Sequence, residues 1–290
     1  MNDTGNTQAA ATALLHAGRM SDHDDHLEGL AYDLPSLVGR RQALSLLGGA
    51  SLAALAACAP GTAPRDSTSS ATPGATRTDS GEEIPEETNG PFPADGTNGP
   101  NVLTESGVVR RDIRSSFGDA SGSADGVPLT VTMTVVDVSS ASHASSAVAG
   151  AAIYAWHCDR DGNYSLYSSG FEDKNWLRGV QRTDDKGQAT FTTIFPGCYS
   201  GRWPHIHFEV YPSLADATKA QNRQRTSQLA FPEDACNDVY ATPEYASSVR
   251  TFQGMSLDTD NVFSDGHSLQ LAKVTGSVTK GYNATLRVPI

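Results

Sequence analysis

The chain has little charge, and most of what it has is acidic. Of 290 residues, 33 are Asp or Glu and 21 are Lys or Arg, a formal net charge of -12. Charged residues make up only 19% of the chain, and no basic cluster stands out. The electrostatic footprint of a nucleic-acid binder is therefore missing. Long apolar runs are also scarce. One run, Leu44 to Ala57, has no second partner, so a multispanning membrane protein is excluded. No glycine-rich fingerprint follows a strand-like run, which removes the nucleotide-binding βαβ reading. No internal repeat is found. The four cysteines show no C-x-x-C spacing, so nothing supports a cysteine-based zinc site.

The first third of the chain reads as address rather than fold. Residues 1–39 are polar and hold His16, His23 and His26 among acids, a pattern better read as a solvated segment than as a metal site. Gly39-Arg40-Arg41-Gln42-Ala43-Leu44 then leads into the apolar run. Paired arginines, a short apolar stretch and small residues make an export signal of the twin-arginine (Tat) type, with Ala43 where a Phe is usual. Leu55-Ala56-Ala57-Cys58 resembles a lipobox, which implies cleavage before Cys58 and a lipid anchor on that cysteine. An ordinary cleavage near Ala59 is the rival. Residues 59–83 have almost no large apolar groups and cannot offset the entropy of ordering, so they read as a flexible tether. The expected division is a signal over 1–57, a tether over 58–83 and a folded domain over 84–290. The expected location is the outer face of the membrane, as a lipoprotein, or the medium.

The folded part alternates. Residues 128–138 (PLTVTMTVVDV) place apolar groups at every second position, the period of a half-buried strand. Strands are also expected over 150–157, 188–194, 205–211, 227–231, 268–275 and 282–289, with a possible helical stretch at 214–226. Short strands punctuated by Gly, Asp and Pro imply an all-β antiparallel sandwich with long irregular loops.

The stretch 195–210, FPGCYSGRWPHIHFEV, carries the chemistry. His205 and His207 are two apart, so on a strand their imidazoles leave the same face. Such a pair is a ready set of metal ligands. Tyr199 follows a Pro-Gly turn, and Tyr164 follows an Asp-Gly turn in 156–167. Singly, each has a structural reading: an edge-strand histidine pair, or core tyrosines bonded to backbone carbonyls. In order, they resemble the intradiol ring-cleaving dioxygenases of the catechol and protocatechuate type. The shared pattern runs through Trp156, Asp159 to Tyr164, Trp176-Leu177-Arg178-Gly179-Val180-Gln181, Thr183-Asp184, Gly187, Phe191 to Tyr199, and Arg202-Trp203-Pro204-His205-Ile206-His207. Glu87-Thr88-Asn89-Gly90-Pro91-Phe92 resembles the family's opening segment, and looser similarity covers 84–290.

The resemblance implies Fe(III) held by Tyr164, Tyr199, His205 and His207. It also implies a small aromatic diol and O2 as substrates. Both oxygen atoms enter the ring between its two hydroxyl-bearing carbons, giving a cis,cis-muconate-type product. Arg202 matches the arginine that stabilises negative charge on the ring, and Gln228, in Thr226-Ser227-Gln228-Leu229-Ala230-Phe231, matches a glutamine of the pocket. Tyr199 is the ligand expected to leave the metal and take up a proton. Arg178 and Gln181 read as structural, and His143, His157 and His267 as surface or supporting residues. With Cys58 in the anchor, Cys158, Cys198 and Cys236 form an odd set, which in an oxidising compartment implies one disulfide and one buried thiol. A Cys198–Cys236 bridge is one pairing and would pin the turn before Tyr199. Two other functions compete: a non-catalytic β-sandwich lipoprotein binding metal, carbohydrate or a protein, and a zinc hydrolase built on the two histidines. The latter lacks a placed carboxylate base.

Overall fold

The computed structural model describes residues 81–139 and 145–290. The expectations placed on the signal, on Cys58, on His16, His23 and His26, on most of the tether and on His143 fall outside these residues.

Nine strands form two sheets. The first is built on β1 (Pro128–Asp137), where Leu129, Val131, Met133 and Val135 are buried. Beside it run β9 (Gly281–Pro289), parallel, and β5 (Gln188–Ile194), antiparallel. The short β2 (Ser146–Ala147) pairs with the end of β1, and β8 (Lys273–Ser277) pairs with β9. The second sheet has the order β4 (Arg178–Arg182), β3 (Ala152–Trp156), β6 (His205–Tyr211), β7 (Arg225–Ala230). All its pairings are antiparallel. The sandwich core lies between the sheets and joins Leu129, Val131 and Leu286 to Ile153, Phe208 and Val210.

β6 is buried at all seven positions, because both of its faces are covered. Its inner face carries Ile206, Phe208 and Val210 into the core. On its outer face, register sets Arg178, Trp156, His207 and Gln228 side by side, then Val180, Tyr154, Glu209 and Thr226. The segment from Glu87 to Pro93 covers this outer face and is tied across it. Glu87 N–H donates to Thr226 O (2.8 Å), Gln228 Nε2 to Thr88 O (3.0 Å), Tyr154 Oη to Pro93 O (2.7 Å) and Arg178 Nη1 to Phe92 O (2.8 Å).

The sheet differs from the sequence reading in places. β4 lies within the Trp-Leu-Arg-Gly-Val-Gln run, where only a motif was expected. The stretch 214–226 forms one 3-10 turn, Ala220–Asn222, and then enters β7. The strand expected at 268–275 starts later, at Lys273, after Leu271 makes a single bridge to Ala230. Two helices were not anticipated, α1 (Glu233–Tyr240) and α2 (Ala246–Gln253). α1 follows Pro232, carries Glu233 and Asp234 in its first turn, and buries Ala235, Cys236, Val239 and Tyr240 on one side. The expected disulfide is absent: Cys158, Cys198 and Cys236 are all free, buried thiols. Cys198 and Cys158 turn instead toward backbone carbonyls, of Arg202 (3.5 Å) and Gly197 (3.6 Å). Burial pushes the thiol of Cys198 up to about 12, which leaves it unreactive. Among the described residues, no helix is long and apolar enough to cross a membrane.

Candidate metal centre

Two turns deliver the tyrosines. In the first, Asp159 accepts from the N–H groups of Asp161 (2.9 Å) and Asn163 (2.8 Å), and Gly162 takes a positive φ of 91°. Tyr164 leaves this turn with its own N–H donating to Ser168 Oγ (2.9 Å). In the second, Gly197 N–H donates to Asp159 O (2.9 Å). A Cβ on Gly197 would lie 2.6 Å from Arg160 O, so only glycine lets the two turns press backbone to backbone. That contact sets the two phenols against each other.

Their hydroxyls are 3.3 Å apart. Tyr199 Oη lies 3.1 Å from His205 Nε2, and His205 Nε2 lies 3.1 Å from His207 Nε2. Two ligands held about 2.0–2.1 Å from one ion and about 90–110° apart lie about 2.9–3.4 Å from each other. The four donors therefore have the mutual spacing of ligands around one ion. His205 Nδ1 donates to Trp203 O, which leaves its Nε2 lone pair pointing at the shared space. His207 is clamped by rings and backbone: Trp156 stacks on it at 5.0 Å and 5°, and a Cβ on Gly90 (φ 68°) would stand 3.1 Å from its Cε1. Its Nδ1 is buried without a hydrogen-bond partner. A cation taking the Nε2 lone pair would place that ring's proton on Nδ1.

The surroundings keep both imidazoles neutral. Burial, then the Arg202 charge, holds His205 down at about 3, and burial with His205 and Arg202 holds His207 well below the usual range. Burial, then Tyr199, pushes the Tyr164 phenol well above its usual range. Deprotonating it needs a strong positive charge at hand. Among the described residues no group of three or more His, Cys, Asp or Glu side chains gathers as a metal site. An ion on this histidine pair thus draws its further protein ligands from the tyrosines, and a hard, anionic oxygen pair suits a hard, highly charged cation.

Arg202 stands beside the four donors, 2% exposed, and its charge is felt at Tyr164, His205 and His207. Its Nη2 donates to Gln228 Oε1, so the structure joins these two sequence-predicted residues directly. Its Nε donates to Asp260 Oδ2 at 3.1 Å.

The family model described as Dioxygenase matches residues 99–251, more than half of the chain. Among solved structures, the chain is similar to an intradiol ring-cleavage dioxygenase from Tetranychus urticae. That match has 25% identity and a TM-score of 0.52, covering 64% of this chain and 88% of that one. The chain belongs to the intradiol ring-cleavage dioxygenase family. It is also similar to the dioxygenase domain of a dioxygenase and carbohydrate-binding fusion from Streptomyces sp. SirexAA-E, at 24% identity and TM-score 0.45, over 72% and 98% of the two chains. Hydroxyquinol 1,2-dioxygenase from Pseudomonas putida DLL-E4 matches at 20% and 0.44, over 73% and 68%. No curated protein matches the chain in a sequence search.

Within this intradiol-family chain, all six residues singled out from the sequence fall in one place. Arg178 is fully buried and holds the carbonyls of Phe92, Pro93 and Ser165, the structural part expected of it. Gln181 bonds only the neighbouring Val180 O and stands away from the centre. His157 is not a surface residue: it is 1% exposed and bonded to Cys158 O and Thr193 Oγ1, both at 2.7 Å. His267 is partly exposed, its Nδ1 3.3 Å from Phe263 O. Asp260 was missed. Its one sequence cue is the local Asp-x-Val-Phe turn, in which its Oδ1 accepts from Val262 N–H (2.7 Å) and Phe263 N–H (3.1 Å).

Proposed function

We propose that this protein is a non-haem Fe(III) dioxygenase that cleaves a catechol-type ring between its two hydroxyl-bearing carbons. Both atoms of O2 enter a cis,cis-muconate-type product. The observation that carries the reading is the convergence of two phenol oxygens and two imidazole nitrogens, 3.1–3.3 Å apart in succession, in a chain of this family. Tyr164, Tyr199, His205 and His207 would hold the ion. When bound, ferric iron draws electron density from a catecholate and opens its ring carbon to O2.

The chain's own residues supply the rest. Two neutral imidazoles and two phenolates leave one positive charge on a trivalent ion, which a further hydroxide would cancel. Tyr164, 2% exposed and enclosed by Phe92 and Tyr199, is the fixed oxygen. Tyr199 is only partly buried, so it is the phenol with room to swing away and hold a proton from a catechol hydroxyl on its Oη. Arg202 places a permanent positive charge where negative charge builds on the ring. Gln228 bonds Arg202 on one side and Thr88 on the other, and so sets the wall of the site.

The test is optical and chemical. The iron-loaded protein should show the red-brown tyrosinate-to-iron band, take up O2 with a catechol and release the ring-opened diacid. Tyr199→Phe should shift the band and lower kcat by at least about 100-fold, the scale of losing a group that acts in the reaction itself. A colourless protein holding stoichiometric zinc and no O2 uptake would end this reading.

A further inference from the structure

Asp260 lies 58 residues beyond Arg202 in sequence, in a loop outside every motif matched above, yet both side chains are buried, at 0% and 2% exposure. Its two oxygens are divided. Oδ1 accepts from the N–H groups of Val262 and Phe263, which fixes the carboxylate to its own loop. Oδ2 accepts from Arg202 Nε (3.1 Å) and from Trp203 N–H (2.6 Å). The same oxygen thus holds the side chain of one residue and the backbone of the next, two residues before His205. On the far side, Gln228 Oε1 takes the Nη2 end of the guanidinium, and Gln228 is itself anchored to Thr88 O. A planar fork held at Nε and Nη2 by groups fixed elsewhere has one orientation left to it.

Charge leads to the same place. A buried guanidinium without a counter-ion is strongly unfavourable, and next to a trivalent ion it is more so. The Asp260 carboxylate sits where it offsets that charge. Burial alone would push its carboxyl up. Arg202 and the N–H groups of Trp203 and Val262 outweigh this and hold it below the usual range, so it is ionised near neutrality.

We propose that Asp260 is the positioning residue of Arg202: its carboxylate orients the guanidinium toward the four-donor centre and cancels its charge in the resting site. This rests on the proposed dioxygenase function. Asp260 touches no reacting atom, so its effect passes entirely through Arg202, and that is what a double-mutant cycle reads.

The variants are Asp260→Asn, Arg202→Met and the double variant, each loaded with iron and assayed beside the unmodified protein with catechol. Asp260→Asn keeps the side chain's shape but turns either an N–H toward donors or an oxygen away from its loop. It should lower kcat by about 10- to 100-fold, the usual scale for a partner of a working residue. The Kd for catechol measured without O2 should move by only a few fold, and the tyrosinate-to-iron band should stay. In the Arg202→Met background, Asp260→Asn should lower kcat no further. An Asp260→Asn protein with unchanged kcat, or an equal loss with and without Arg202, overturns the proposal. If Asp260→Asn is too unstable to assay, the pair is read from melting: the double variant should melt higher than Asp260→Asn alone, and a double variant that melts no higher also overturns it. Failure of the function itself looks different, because the unmodified protein would then lack both colour and turnover.

Discussion

The two faces of β6 are one residue apart in sequence and opposite in chemistry. Phe208 points into the sandwich and meets only apolar neighbours, while His207 points outward among Trp156, Arg178, Gln228 and the segment that covers them. Both faces are equally buried. The inner face achieves this by direct packing of two sheets. The outer face carries polar groups and needs a separate lid of chain, Glu87 to Pro93, fastened by hydrogen bonds. Stability should therefore concentrate on the inner face and chemistry on the outer. Exchanging single side chains across that boundary tests the division.

The sharpest test uses the adjacent pair. His207→Leu should reduce turnover below detection and iron content well below one per chain, since it removes one of four converging donors. Its metal-free melting point should hardly change, because the lost ring leaves behind no buried partner: its Nδ1 has none. Phe208→Ala should do the reverse, costing about 3–5 kcal/mol of stability through the cavity it opens. The protein that remains folded should bind iron one to one. Chemical denaturation and iron titration on both variants give the four numbers. A His207→Leu chain that keeps its iron, or a Phe208→Ala chain as stable as the parent, would erase the division.

Much of this was legible in the sequence, for definite reasons. The strands Gln188–Ile194 and His205–Tyr211 fall where alternation puts them, since one side of each faces a continuous core. His205 and His207 are visible as a pair because strand period alone sets them on one face. The tyrosines are visible through the Asp-Gly and Pro-Gly turns before them, and those turns form. Other features depend on contacts distant in sequence. β4 was hidden because Arg178 is a buried charge in a strand, satisfied by carbonyls more than 80 residues upstream. Asp260 was hidden because its partner lies 58 residues away. The disulfide was expected from cysteine count and compartment, whereas the thiols fill apolar space and turn to carbonyls.

The lid gives a smaller effect. Gly90 takes a φ of 68° and lies flat on His207, with 3.1 Å between its would-be Cβ and the ring. Gly90→Ala should cost about 1–2 kcal/mol, from the strained backbone and the displaced ring together. If the lid sets the ring's position, the same variant should weaken iron binding several fold. Equilibrium denaturation and competition with a chelator measure the two effects. A stability loss with unaltered iron affinity would mean that the lid covers the site without shaping it.

The smallest expected effect concerns the row beside the centre, where Glu209 is fully buried on the outer face. Its Oε2 accepts from Tyr211 Oη at 2.6 Å, and Arg223 Nε lies 3.8 Å from its Oε1. Burial, followed by the charge of Asp95, pushes its carboxyl up to about 8. In the unfolded chain this group loses its proton near pH 4.3. Between that pH and about 8 the unfolded chain has released a proton that the folded one still holds. Folding therefore becomes less favourable as pH rises through this window, by up to a few kcal/mol, and levels off above it. Glu209→Gln keeps a neutral side chain of the same length and removes the titration. The parent should lose stability to urea between pH 5.5 and pH 8 by clearly more than the variant (the window being about that of the shift). Parallel curves for the two proteins would mean that Glu209 ionises at little cost, and that the outer face tolerates a bare charge where the inner face could not.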